Sequence, residues 1–413
     1  MVNYSKQILQ NIADSKFNNQ DLINKAIVND SENELIDLAE SLIAQGFIDD
    51  AKSILEHLNE KNDTNDQINL DLAEIYLDEG NDDQALNCLD KIEQKSSLYL
   101  SAQIDKADLY ESEGLAESAE GVLLDLQNIS DDPVVRFALA EFYDAEGENG
   151  KSAQLYDYLL NQGHESINQI NLHARLAMAL ASNGEFEESI AEFQKVGLKN
   201  LSGKEISSLA QAYLQSDDYE KSQQLIEENI DNQEAELDDY LNLASIYEKQ
   251  GNSKDQLRTL QLAKSFDPFN LLTRFKLALL QSNLGDYASS NKELNFISEK
   301  DPSQTNAISL LAYNFIQEKE YGQAVNLINE HIEDDEIDQH YFWYLGLAYF
   351  NSDQQKQAEN ALKQVDEYFS KEPSFLKDAF FVFKNTNSDT AQNYLKKYLQ
   401  IVPEDFEMES YLI

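Results

Sequence analysis

The segment LAQAYLQSDDYEKS (209–222) sets two small residues, Ala210 and Ser222, around a turn at Asp217, and LALLQSNLGDYASS (277–290) repeats the arrangement with Ala278, Gly285 and Ser290. Followed outward from these two segments, the same frame covers most of the chain. Gly46, Gly80 and Gly114 stand 34 residues apart, and Gly147, Gly184, Gly251 and Gly285 continue the series with small deviations, so half of the 14 glycines mark one phase. Seven residues before that turn stand Ala39, Ala73, Ala107, Ala140, Ala177, Ala210, Ala244, Ala278, Ala312, Gly346 and Ala379. Five residues after it stand Ala51, Ala85, Ala119, Ser152, Ser189, Ser222, Gln256, Ser290, Ala324, Ala358 and Ala391, of which only Gln256 is not small.

A small residue on each of two consecutive helices lets their axes approach closely at a crossing. Large apolar residues recur around the first small position at helical spacing, as in Leu72 and Tyr76, Leu139 and Tyr143, Leu209 and Tyr213, Leu243 and Tyr247, and Leu345 and Tyr349. Leu55, Leu89, Leu123, Phe193, Leu260, Leu294 and Leu362 fill the matching place on the second helix. Each unit therefore reads as a helix hairpin with one buried stripe per helix.

This alternation of small residue, aromatic, turn glycine, aromatic and small residue resembles the tetratricopeptide repeat. The closing proline of that family stands in three units, as Pro268, Pro302 and Pro403. Eleven units can be counted from Glu32 to Asp405, about nine-tenths of the 413 residues. The resemblance implies an all-α fold: a right-handed superhelical solenoid of about eleven helix-turn-helix units, preceded by a capping helix pair. In character the chain is similar to acidic all-repeat proteins of low-GC Gram-positive bacteria.

Four segments follow from this reading. Residues 1–31, with Ile8, Ile12, Leu22, Ile23 and Ile27, form an N-terminal cap; 32–169 hold the first four units; 170–405 hold units five to eleven; 406–413 form a C-terminal tail. The tail carries Phe406, Met408, Tyr411, Leu412 and Ile413 and is expected to cover the last helix. Three extra residues near Asn161–Gln169 are the candidate hinge, and Lys106 and Asp378, which replace the usual leucine, are expected to loosen the third and last units.

Composition narrows the function. The chain has 77 acids against 31 bases, a formal charge of -46, and such a field repels nucleic acid and anionic lipid. Hydrophobic residues make up 42%, enough to bury a core, so the charge is not that of a disordered chain. Cys88 is the single cysteine and cannot form an internal disulfide, and neither a signal-peptide core nor a membrane-length apolar run is present, which leads to the expectation of a cytoplasmic protein. Five prolines and 14 glycines are too few for the many turns of a sandwich or barrel.

With about 100° between successive residues, the first helix of each unit buries one stripe and turns a second face away from it. The family resemblance implies that this second face lines a concave groove. In the first units it carries Asp37, Glu40, Asp71, Glu74, Asp105, Asp108 and Glu141, with Asp78, Glu111 and Asp144 further along, which amounts to an acidic ladder. From the fifth unit on it becomes apolar and aromatic, with Phe275, Leu279, Tyr313, Ile316, His340, Trp343, Tyr344, Leu347, Phe350 and Phe380. Charge follows the same division: residues 1–150 carry 34 acids and 9 bases, and residues 151–413 carry 43 and 22. The acids can be a solvated face that keeps the chain soluble or a binding face; their fixed phase speaks for the second, because solubility needs no fixed phase. The aromatics can be core, or they can be anchors for a partner.

Recognised chemistry is thin. The family's clamp for chaperone tails needs five Lys or Asn positions, and the best window offers Asn242 and Lys276. Gly150-Lys151-Ser152 lacks the first glycine and the preceding strand of a phosphate loop. His164 and His173, like His331 and His340, stand nine apart, not the three or four that metal ligands on one helix need. The acid runs Asp78–Asp83 and Glu333–Asp338 lack the alternating ligands of a calcium loop, and Cys88 reads as a core filler. The pattern therefore calls for no catalytic residue, cofactor or metal. It is expected to be a non-enzymatic adaptor that binds a protein or peptide with a basic segment and an apolar anchor. The alternatives are a peptide-sensing regulator, a homodimer built on the aromatic half, and an acidic mimic that competes with DNA for a basic protein.

Overall fold

A computed structural model describes residues 3–332 and 338–412. The described residues fold as twenty-five α-helices joined by short turns, with one two-stranded β-ribbon. Two compact units divide the chain, Met1–Asp218 and Tyr219–Ile413.

In the first unit, α1 (Tyr4–Ala13) and α2 (Gln20–Asn29) precede a run of hairpins. These pair α3 (Glu32–Ala44) with α4 (Ile48–Lys61), α5 (Asp66–Asp78) with α6 (Asp82–Leu89), and α7 (Tyr99–Ser112) with α8 (Ala116–Ile129). They continue with α9 (Pro133–Ala145) and α10 (Asn149–Asn161), then α11 (Leu172–Ser182) and α12 (Phe186–Val196), and the unit ends on α13 (Gly203–Gln215). The second unit begins with α14 (Tyr219–Asp231) and pairs α15 (Leu237–Lys249) with α16 (Ser253–Phe266) and α17 (Leu271–Asn283) with α18 (Tyr287–Lys300). It continues with α19 (Thr305–Gln317) and α20 (Tyr321–His331), α21 (His340–Asn351) and α22 (Gln355–Gln364), and α23 (Pro373–Phe383) and α24 (Ser388–Ile401), closing on the single turn α25 (Phe406–Glu409).

Local signals start and stop these helices. Ser31 and Glu34 form a capping box at the start of α3, Ser202 and Glu205 do the same for α13, and Pro133 and Pro373 occupy first-turn positions of α9 and α23. At the end of α5, Gly80 takes a φ of 68°, and the Asn81 amide then reaches back 2.8 Å to the Tyr76 carbonyl. That left-handed closure is cheap for glycine. Asp217, Lys319 and Asp353 adopt it at the same phase with a side chain, at φ of 60°, 65° and 61°.

All the small residues of the repeat frame are buried. In α12 the Ser189 hydroxyl donates to the Ala177 carbonyl of α11 at 2.7 Å, and in α18 Ser290 donates to Ala278 of α17 at 2.8 Å. A side chain much larger than serine cannot enter such a crossing. The contact is tightest at Gly346, where a Cβ would lie 2.5 Å from Leu362 Cδ2.

Three sequence expectations change in detail. The extra residues after α10 close into a ribbon, β1 (Ser166–Ile167) against β2 (Ile170–Asn171), turning through positive φ at Asn168 and Gln169. Ile167 is buried against the α9–α11 core, so this segment, the candidate hinge, is anchored and lies inside the first unit. Lys106 and Asp378, expected to loosen their units, are both partnered: Lys106 Nζ stands 2.5 Å from Asp90 Oδ1, and Asp378 accepts a 3.0 Å hydrogen bond from the Trp343 indole. The tail covers the last hairpin through Met408, which is buried, and Tyr411, whose ring lies 5.4 Å from that of Phe380, while Phe406 and Leu412 are exposed. Ile413 and the 333–337 part of the Glu333–Asp338 run lie outside the described residues. Cys88 is buried, which pushes its thiol pKa up. Among the described residues no helix is long and apolar enough to cross a membrane.

Candidate functional site

The acids of the first unit come from the outward faces of α3, α5, α7 and α9. Asp37 and Glu40 on α3 are exposed. On α5, Asp71 is half-buried and accepts from Gln67 Nε2 at 2.8 Å, and burial pushes its pKa up. Glu74 is raised by burial and by the nearby charges of Asp71 and Asp78. On α7, Asp105 is pushed up to about 6, by burial first and then by the charges of Glu74 and Asp108. Asp108 is raised by burial, and Glu111 by burial and then by Asp108 and Glu146.

The charge of Glu74 on α5 acts on Asp105 on α7, so the acids of consecutive repeats are electrostatically coupled. Among the described residues none of Asp71, Glu74, Asp105, Asp108 and Glu111 makes an ion pair. The bases of this region pair off the ladder: Lys52 with Glu79 at 2.5 Å, Lys106 with Asp90, and Arg136 with Asp131 at 3.2 Å. Like charges left together and partly desolvated lie above their ordinary free energy, and a cation relieves that cost.

Glu141 differs from the other rungs. Its Oε2 lies 3.0 Å from Arg175 Nη2 of α11, and its Oε1 accepts the buried Tyr156 hydroxyl. Asp144 beside it is raised by burial, against the pull of Arg175 and Lys204. The ladder is thus closed at α9 by Arg175, a base that the acid pattern alone does not mark.

The apolar residues of the second unit separate into three groups. Phe275 on α17 is half-buried against the α18–α19 core, whereas Leu279 is 39% exposed and lines a crevice toward α15. Tyr313 of α19, and His340 and Tyr344 of α21, are half-buried and form a chain of rings, Tyr313 to Tyr344 at 5.8 Å and Tyr344 to His340 at 5.8 Å. Leu347 and Phe350 are half-buried farther along α21. Ile316, Trp343 and Phe380 are core residues at 8%, 8% and 1% exposure, which removes them from an open groove.

The physical reasons are specific. Trp343 is covered by Phe369 and Phe375, at 5.1 Å and 5.5 Å, and its indole is held by Asp378. That carboxyl is half-buried, and desolvation pushes it up to about 6. Phe380 lies beneath Tyr411 of the tail. His340 Nδ1 stands 2.7 Å from Asp338, which also accepts the Ser309 hydroxyl, so this histidine is tied to a carboxylate at the rim of the aromatic cluster. Phe369 and Asp338 are the residues of this cluster that the repeat frame does not mark, since both lie in the connections between helices.

Three family models match parts of the chain: tetratricopeptide repeat at 42–97, YpiA-like tetratricopeptide repeats at 112–164, and YpiA-like C-terminal tetratricopeptide repeats at 340–405. The TPR repeat-containing protein YpiA of Bacillus subtilis (strain 168) is 26% identical over 301 residues, covering 72% of this chain and 71% of that protein. Among solved structures, the C-terminal part of a TPR repeat-containing protein from Cytophaga hutchinsonii is 18% identical, with a TM-score of 0.45, covering 57% of this chain and 98% of its own. YrrB, described as a TPR protein with an unusual peptide-binding site, is 16% identical, with a TM-score of 0.38 and coverages of 51% and 99%.

Proposed function

We propose, starting from the fact that this chain is a tetratricopeptide repeat protein, that it is a non-enzymatic, cytoplasmic adaptor whose first unit holds a basic segment of a protein partner. Repeats of this family are interaction scaffolds. The observation that carries the finer reading is the set of five carboxylates, Asp71, Glu74, Asp105, Asp108 and Glu111, left together without a counter-ion while the local bases pair elsewhere. Lysine or arginine side chains laid along α5 and α7 neutralise the repulsion between Glu74 and Asp105. Asp37 and Glu40 extend the field toward α3 and act mainly on approach, because exposed charges steer association more than they hold a complex. In the second unit, the accessible apolar groups Phe275, Leu279, Tyr313, His340, Tyr344, Leu347 and Phe350 serve an apolar part of the partner.

Affinity capture from extracts of the source cells tests this reading. Wild type is compared with a variant carrying Asp71→Asn, Glu74→Gln, Asp105→Asn, Asp108→Asn and Glu111→Gln, and with a control in which five exposed acids off that face, Asp49, Glu60, Asp83, Glu117 and Asp125, are made neutral. The reading expects a protein with a Lys- or Arg-rich segment that is retained by wild type and control, lost by the ladder variant and eluted by salt. Equal capture by all three contradicts it.

A second reading rests on the exposed apolar turn between α16 and α17, where Phe266, Phe269 and Leu272 are 55%, 71% and 54% exposed. A homodimer through this half of the chain would cover it. Sedimentation at increasing concentration separates the two: a dimer disrupted by Phe269→Ser supports the second reading, and a monomer throughout removes it.

A further inference from the structure

Gln256 is the only member of the repeat frame's second small position that is neither alanine nor serine. It lies on α16 opposite Ala244 of α15, where the other units close a tight crossing. The longer side chain lines a crevice of about 320 Å³ among α15, α16 and α17. The floor is apolar, made by Ala244, Leu260 and Leu280, while Ser245, Ser253 and Asn283 supply polar groups and Glu248 and Lys276 supply one charge of each sign.

Gln256 is 9% exposed, and its side-chain amide has no hydrogen-bond partner among the described residues. The amide atoms keep solvent contact within the crevice, so they are open to a ligand that offers both a donor and an acceptor. The crevice of the first unit lined by Tyr76 and Cys88 lacks this property. There Tyr76 donates to Glu56 at 2.9 Å, and Asn59 is bonded to Asn69 at 2.9 Å.

We infer that this crevice is a binding site for a primary carboxamide, the group carried by glutamine and asparagine. A carboxamide presents an N–H donor and a C=O acceptor side by side, and so does its complement, so two amides pair through two hydrogen bonds at once. A carboxylate offers only acceptors and leaves the Gln256 carbonyl unpaired; an aliphatic group satisfies neither atom. The paired signs of Glu248 and Lys276 leave the rim without net charge, which suits a neutral side chain or a zwitterion. The site is independent of the acidic ladder, because it lies in the second unit and its ligand is uncharged.

The test uses the full chain labelled at glutamine side-chain nitrogens and follows the Gln256 amide resonance, assigned by its loss in Gln256→Ala. The probes are the tripeptide acetyl-Ala-Gln-Ala N-methylamide, whose only primary carboxamide is the Gln side chain, the same peptide with Glu or Met at the centre, and free L-glutamine. The proposal expects a saturable shift with the Gln peptide at about millimolar concentration, and binding at least about tenfold weaker for the Glu and Met peptides. Saturation by the peptide but not by free glutamine assigns the carboxamide to a polypeptide, and saturation by free glutamine assigns a free amino acid. Ala stands at this phase in six other units, so Gln256→Ala is expected to fold with an unchanged or higher melting temperature and to lose binding, read by intrinsic quenching or calorimetry. Equal shifts from the three peptides, no saturable shift with any probe, or full binding by Gln256→Ala overturns the proposal.

Discussion

Gly346→Ala is the substitution that the sequence frame and the structure judge in opposite directions. At this phase the other units all carry alanine, and alanine in a helix interior is favoured over glycine by about 1 kcal/mol. By that reasoning the change stabilises. In the structure, however, the added Cβ would stand 2.5 Å from Leu362 Cδ2 and 2.7 Å from Leu362 Cγ. Leu362 has no exposed surface and belongs to the cluster that includes Trp343, Val365 and Phe375, so it cannot withdraw without moving its neighbours. Overpacking of this kind costs about 1–3 kcal/mol. The two effects together give a net loss of about 0–2 kcal/mol.

A double-mutant cycle separates them. Leu362→Ala alone opens a cavity and costs about 2–5 kcal/mol. Adding Gly346→Ala to it removes the overlap and refills part of the space, so in that background alanine is expected to stabilise, with a coupling energy of about 1–3 kcal/mol. The assay is urea unfolding followed by tryptophan fluorescence. Trp343 is the only tryptophan in the chain and sits in the same cluster, so the signal reports this region even if distant repeats unfold separately. A higher midpoint for Gly346→Ala in the wild-type background would refute the packing argument.

The remaining predictions concern charge and turns. The raised pKa values of Asp105, and of Asp71, Glu74, Asp108 and Glu111, mean that the folded state holds protons more tightly than the unfolded state; stability is therefore expected to rise as pH falls from about 7 toward 5, read as melting temperature, and to rise less steeply in Asp105→Asn. Asp378, also pushed up to about 6, has the same sign, so Asp378→Asn is expected to match or exceed wild type at pH 7.5 while keeping the acceptor for Trp343; Asp378→Leu strands the indole N–H at a cost of about 1–3 kcal/mol. Loss of stability in Asp378→Asn equal to that in Asp378→Leu would contradict this assignment. Lys319→Gly relieves a left-handed residue and is expected to raise the unfolding free energy by about 1 kcal/mol, whereas Gly285→Ala, at the equivalent turn, lowers it by a similar amount.

The repeat architecture was legible because its determinants are local and recur. A crossing that admits only Ala, Gly or Ser leaves an unmistakable spacing, and a turn that needs positive φ marks its phase with glycine. The faces of the helices were legible for the same reason, and this put Asp71, Glu74, Asp105 and Asp108 together. What covers a face was not legible, because it depends on segments outside the frame. Trp343 is hidden by Phe369 from the connection after α22, and Phe380 by Tyr411 from the tail. Polar departures were misread as weakness because their partners are distant in sequence: Asp378 looks like a lost leucine until Trp343, 35 residues away, is seen to donate to it. Arg175 closes the ladder at Glu141 from the next repeat, a pairing that no periodicity within one helix reveals.

The most direct test of the adaptor reading is the association rate of a fluorescent peptide carrying a Lys/Arg-rich segment and one apolar anchor, measured by stopped flow at low and high salt. Wild type, the five-fold ladder variant and the five-fold control off the ladder are compared. The account predicts that wild type and control associate at similar rates and slow by about tenfold or more between low and high salt, while the ladder variant is slow at both. If the ladder and control variants lose the same amount, the acids act only as a diffuse field of net charge, and the binding face proposed on α5 and α7 is wrong.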